Sequence, residues 1–228
     1  MSLLKLYKTL SLTVIFCATF ALQSFAQTAD VPSPVTPEDY GKWETLRSGM
    51  LSPNGRWLAY EVTRVNEENE LRVRQLDTDV LTVMPFGEGV SFSSDSRWLA
   101  YGIKMSESER KKREKQKKSV RNNLGLLNLV TGDSTVVEEV ASFIFRDDGA
   151  YLAMERYPRK DQESKGVDLV ITNLSTGIKT NFGNVSEYAW QEDGAMLAMI
   201  IDAEGQAGNG IQVFDPDTGI LRTLDAEA

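Results

Sequence analysis

Ten residues written four times constrain this chain more than any other feature. Residues 51–60 read LSPNGRWLAY, and the phrase returns from Phe92 as FSSDSRWLAY, from Phe145 as FRDDGAYLAM and from Trp190 as WQEDGAMLAM. The starts are 41, 53 and 45 residues apart. A period of roughly 40 to 50 residues marks a repeat architecture. Each copy reads as the end of one strand, a tight turn and the start of the next. The turns fall at Asn54-Gly55, Asp95-Ser96, Asp148-Gly149 and Asp193-Gly194, residues that tolerate positive φ. Alternation then puts Trp57, Ala59, Trp98, Ala100, Tyr151, Ala153, Met196 and Ala198 on one face. Leu58, Tyr60, Leu99, Tyr101, Leu152, Met154, Leu197 and Met199 fall on the other. With both faces apolar, each strand is expected to be covered on both sides, as in sheets stacked face to face.

A second phrase keeps the same phase. LRVRQL (71–76), LGLLNL (124–129), LVITNL (169–174) and IQVF (211–214) read as strands, each followed by a turn at Thr78, Thr131-Gly132, Thr176-Gly177 or Thr218-Gly219. The threonines are 53, 45 and 42 residues apart, so they track the first phrase. The fold class that follows is all-β, with β-propeller blades of four antiparallel strands. Four blades fill residues 48–228, and ILRTL (220–224) reads as the last strand of the fourth. A spacing of about 42 residues would put a fifth copy near position 232, so partner blades are expected elsewhere.

Ahead of the repeats, residues 1–26 read as a secretory signal peptide. Lys5 and Lys8 form a basic start, Leu10 to Leu22 is mostly apolar, and Ser24-Phe25-Ala26 offers small residues before Gln27. The sole cysteine, Cys17, lies inside this stretch. A mature chain of 202 residues would hold no cysteine and no histidine, which suits a periplasmic or secreted protein stabilised by packing rather than disulfides. No membrane association is expected after cleavage. Residues 27–47 read as a polar linker and a short helix, with Thr36 as N-cap, Pro37 in the first turn, and Tyr40, Trp43 and Leu46 along one face.

Charge is unevenly spread. Without the leader there are 23 basic and 33 acidic residues, which argues against nucleic acid as a partner. Yet the longest interval carries MSESERKKREKQKKSVRNN (105–123), in which Ser106 and Glu109 form a capping box and a projecting helix of about 12 residues is expected. Arg110, Lys111, Lys112, Arg113, Lys115, Lys117, Lys118 and Arg121 concentrate eight cations there. The reading is a solvated hairpin or an electrostatic dock for an acidic partner surface.

Catalytic signatures are missing. With no histidine there is no Ser-His-Asp or Cys-His arrangement, and no G-x-S-x-G elbow occurs. Asp215 to Gly219 and the glycine-rich 202–210 read as turns rather than a calcium loop. Glu138-Glu139 reads as an exposed strand end. The chain by itself is expected to have no catalytic residues, cofactor or metal.

The phrases LSPNGRWLAY, FSSDSRWLAY and FRDDGAYLAM resemble the WD-like repeats of TolB-like propellers and of prolyl oligopeptidase family serine peptidases. The opening EDYGKWETLRSGMLSPNGRWLAYEVTRVNEENELRVRQL and FGNVSEYAW are more similar to exported bacterial members of the second group. That resemblance spans about residues 37–228. It implies part of a seven- or eight-bladed ring ahead of an α/β-hydrolase domain that holds the catalytic serine, aspartate and histidine. The propeller would gate or dock peptide substrates for that domain, its partner. The alternative is a TolB-like periplasmic binding propeller that contacts envelope proteins and has no enzyme. A third expectation is ring closure by a symmetric dimer.

Overall fold

The computed structural model describes residues 34–160, 162–205 and 208–226. The expected leader, and the linker up to residue 33, lie outside them. Blade one is a four-stranded antiparallel sheet of β1 (Glu44–Leu51), β2 (Trp57–Arg64), β3 (Glu70–Gln75) and β4 (Leu81–Pro85) in chain order. Blade two repeats it with β5 (Gly87–Phe92), β6 (Trp98–Ile103), β7 (Asn123–Asn128) and β8 (Ser134–Val137). A seven-stranded sheet follows: β9 (Val140–Phe145), β10 (Tyr151–Arg156), β11 (Val167–Asn173), β12 (Lys179–Trp190), β13 (Leu197–Ile201), β14 (Gly210–Asp215) and β15 (Ile220–Ala226). It is two blades sharing one strand. The first half of β12 pairs with β11 and closes blade three, while the second half pairs with β13 and opens blade four.

All three passages between blades use one device. Phe86, Glu139 and Asn184 have φ of 59°, 54° and 57°, and each stands directly before the residue that starts the next blade's inner strand. A non-glycine residue in the left-handed region is uncommon. Three at equivalent positions mark a bend the architecture requires. Sequence alone offers no sign of it, since none of the three is a glycine.

The turns come from the repeated phrase. Ser52, Ser93 and Arg146 accept a backbone bond from Gly55, Ser96 and Gly149, whose φ values of 70°, 57° and 74° complete a four-residue hairpin loop. Ser52 and Ser93 also receive the Trp57 and Trp98 amides on their hydroxyls at 3.0 and 2.9 Å. Blade four departs: Asp193, not Gly194, takes the positive φ, 51°. That is the type II pattern, with Gly194 one place later. At the β7–β8, β11–β12 and β14–β15 turns, Asn128, Asn173 and Asp215 cap two following amides, and Gly132, Gly177 and Gly219 take φ of 72–81°.

Stacking follows the alternation. Ala59 of blade one packs with Leu99 and Tyr101 of blade two. Ala100 meets Leu152 and Met154, and Ala153 meets Leu197 and Met199. Gly125 is fixed by this packing, because a Cβ there would lie 2.1 Å from the buried Tyr101 ring.

Two expectations need correction. The opening helix is only a 3-10 segment, Pro37–Lys42, and its Tyr40 ring meets Trp43, just beyond it, in a tilted contact at 4.8 Å. Leu46 is instead in β1, paired with Val62, so blade one starts at Glu44 rather than 48. The ladder to β2 captures the residues a third helical turn would have used. The inserted helix, α1 (Glu107–Lys115), has nine residues rather than about twelve. Lys117 adopts φ 54°, and the Lys118 and Lys117 amides return to the Arg113 and Glu114 carbonyls. That pairing is a Schellman ending with lysine where glycine is usual, so the stop is not legible in the sequence.

Candidate functional site

The two ends of the blades differ. One carries the repeated turns, which bind neighbouring blades together. The other carries the irregular connections β2–β3, β4–β5, β6–β7 and β8–β9, and functional groups concentrate on such loops.

At the turn end lies a charge that sequence reading missed. Arg146 stands where blades one and two have Ser52 and Ser93, and its side chain is 5% exposed. It grips Asp148 through Nη2–Oδ2 (2.6 Å) and Nε–Oδ1 (2.9 Å). It also reaches Asp217 of blade four through Nη1–Oδ2 (3.0 Å), and lies 4.4 Å from the Tyr151 ring centre. Burial opposes the guanidinium's charge, but the two carboxylates outweigh it and its pKa is raised overall. The same contact holds the Asp148 carboxyl below the usual range. The Tyr151 hydroxyl donates to the Pro216 carbonyl at 3.0 Å. This is a clasp between blades three and four, and both ring and guanidinium are spent on it.

At the loop end the basic projection resolves into two groups. Three of its eight cations are tied down. Arg110 pairs with Glu67 of blade one at 2.9 Å, and Lys111 pairs with Glu107. Arg121 joins Glu139 at 2.7 Å, donates to the Pro158 carbonyl and lies over Tyr157. Arg113 donates weakly to the Ser119 carbonyl at 3.4 Å. Lys112, Lys115, Lys117 and Lys118 have no partner among the described residues. Ser106 caps α1 through the Glu109 amide at 3.3 Å, and no residue of the helix is buried. Arg110 and Arg121 thus anchor the insert to neighbouring loops, and the four lysines are the cations it leaves uncommitted among the described residues. Glu138-Glu139, expected as a plain strand end, supplies the Glu139 carboxylate to Arg121 and the Glu138 carbonyl to Arg156.

The base of this insert walls a polar cavity of about 540 Å³ between blades one and two. Arg47 of β1, Glu61 of β2, Glu67, Glu88, Lys104 and Arg110 bring their charges to it. Among the described residues, His, Cys, Asp and Glu form no cluster able to hold a metal.

The outermost faces are the remaining feature. Ala59, Ala100 and Ala153 are fully buried, whereas Ala198, the same position of the fourth copy, is exposed. Beside it Ile200 and Ile211 are 43% and 42% exposed. On the other column Leu99, Leu152 and Leu197 are fully buried and Leu58 is only half-buried. Tyr60 and Val62 share its face with an ion quartet in which Glu44 and Glu70 alternate with Arg64 and Arg72 at 2.5–3.2 Å. Hydrogen bonding from Arg64 holds the Glu70 carboxyl below its ordinary range.

Repeated four-stranded blades, stacked in sequence through alternating apolar faces, define a β-propeller segment. Solved structures agree on the fold. An acylaminoacyl peptidase is similar at TM-score 0.50 and 12% identity, over 82% of this chain and 33% of its own. The β-propeller domain of the Trilobed protease from Pyrococcus furiosus is similar at 0.50 and 13%, over 82% of this chain and 59% of its own. One of two prolyl endopeptidases is similar at 0.50 and 15%, over 81% of this chain and 29% of its own. A eukaryotic initiation factor is similar at 0.51 and 14%. The chain therefore spans about a third of the acylaminoacyl peptidase and prolyl endopeptidase chains and 59% of the Trilobed protease domain. No protein-family model and no curated protein matches it.

Proposed function

We propose that these four blades are the substrate-docking and gating part of an exported serine peptidase of the prolyl oligopeptidase family. Hydrolysis would be carried out by a separate α/β-hydrolase domain, and peptides are the substrate class. The observation that carries the reading is the exposure of Ala198 on blade four together with the half-exposure of Leu58 on blade one. These are the two halves of an interface that the chain uses three times internally. Uncovered apolar surface of this kind calls for further blades, as in the larger rings of propeller peptidases. The peptidases among similar structures, and the WD-like phrases, support that choice over other propellers; the initiation factor sets the limit of what fold alone decides. The signal-like leader supports export to the periplasm or beyond.

The test is activity-based. Protein captured from the native host through these blades is treated with a serine-reactive fluorophosphonate. Covalent labelling on a segment beyond the blades is the expected result. Captured protein that contains further blades, takes no label and brings envelope proteins with it would replace the peptidase with a TolB-like binding propeller.

A further inference from the structure

The polar cavity between blades one and two has a one-sided inventory of uncommitted groups. Its three carboxylates are all engaged. Glu61 accepts the Gly89 amide at 3.1 Å, Glu67 accepts from Arg110 and Glu88 from Lys104. The donors are not. Arg47, on the inner strand beside a bulge in β1, has no hydrogen-bond or ion-pair partner among the described residues. The Asn69 side chain accepts the Arg64 amide at 2.8 Å through its oxygen, leaving its NH₂ free, and the Asn122 side chain makes no bond among the described residues. What the cavity lacks is an acceptor-rich anion. The insert whose base walls the cavity also carries four lysines that are likewise unpaired among the described residues. In an otherwise acidic chain they form a local positive field.

We propose that this cavity is a carboxylate-binding subsite for peptides, with the Arg47 guanidinium as its anchor, Asn69 and Asn122 as neutral donors, and the lysines of the insert as steering charges. The peptide as ligand class rests on the function proposed above. The carboxylate follows from the cavity itself. Arg47 sits opposite Glu61 in the β1–β2 register, yet no ion pair joins the two, so the guanidinium keeps its donors for a ligand. An amide in place of the ligand's carboxylate forgoes the charge-assisted bonds to Arg47 and binds more weakly, and an amine is repelled by it.

The experiment uses the whole chain and fluorescence anisotropy with three labelled hexapeptides: one with two glutamates and an amidated end, its glutamine isostere, and the isostere with a free C-terminal carboxylate. Saturable binding of the first or third, at least tenfold tighter than the second, is expected. The first binding alone assigns an acidic side chain, and the third alone a chain terminus. R47Q should weaken that binding about tenfold or more, the typical effect of losing a charge-assisted pair. A quadruple lysine-to-glutamine variant at 112, 115, 117 and 118 should instead slow association and flatten the salt dependence. Binding that ignores R47Q but vanishes in the quadruple variant would reduce the site to surface charge condensation and overturn the proposal, as would equal affinity for all three peptides. Because no hydrolase domain takes part, failure here leaves the peptidase reading standing, and loss of that reading leaves a measured carboxylate preference intact.

Discussion

Replacing Arg146 separates what a turn needs from what the clasp between blades adds. Arg146→Ala removes two bonds to Asp148, the reach to Asp217 and the stacking on Tyr151. Removing one partner of a buried ion pair costs about 3–5 kcal/mol. Here Asp148 and Asp217 are 53% and 48% exposed and can rehydrate, so the expected loss is about 2–3 kcal/mol, of which the ring contact is about 1 kcal/mol. Arg146→Ser is the sharper probe. Serine is what blades one and two carry at this position, where its hydroxyl takes the amide five residues on. That restored bond should return about 1 kcal/mol, leaving the loss of the link to blade four. In urea unfolding with a slope of roughly 2 kcal/mol per molar, Arg146→Ala should lower the midpoint by about 1 M and Arg146→Ser by about half as much. Equal midpoints for the two variants, or a loss under 1 kcal/mol for Arg146→Ala, would refute the division of labour argued here.

Gly125→Ala should cost about 1–3 kcal/mol by thermal unfolding, because the new methyl meets the Tyr101 ring; Tyr101→Leu in the same chain should recover part of it. Asp148 and Glu70 both have pKa values held below the ordinary carboxylate range, so the unfolded chain takes up protons first. Their stabilisation is full above about pH 5 and is lost as pH falls through about 4 toward the folded values. An acid titration followed by circular dichroism should show that loss, and Arg146→Ser should flatten the part due to Asp148. Lys117→Gly should protect the amides of α1 from hydrogen exchange, since glycine takes the left-handed position after the helix without strain, whereas Ser106→Ala should expose them.

How much of this was legible in the sequence depends on distance along the chain. The blades, their order and the two apolar columns were all written in adjacent residues, because strand alternation has a period of two and the turn residues carry their own conformational preference. The bends at Phe86, Glu139 and Asn184 were hidden, since their positive φ is imposed by the passage from one sheet to the next. Arg146 was hidden too: its meaning lies in Asp217, 71 residues away. The insert was visible as a charged helix, but which cations it keeps free depends on Glu67 and Glu139, which belong to other loops. Arg47 came into view only through the bulge that places it beside the cavity.

If further blades follow these four, the Ala198 face is one half of a blade interface. Cysteine labelling tests it directly, because the chain's single cysteine, Cys17, lies in the leader-like stretch. Ala198→Cys is introduced at the native locus, and its modification by a maleimide is followed by peptide mass against Ala100→Cys, a fully buried member of the same column. Position 198 should react as slowly as position 100 in the protein from the native host, and rapidly in the 228-residue chain on its own. Rapid labelling of position 198 in both would mean that no blade covers this face and that the four blades stand without neighbours.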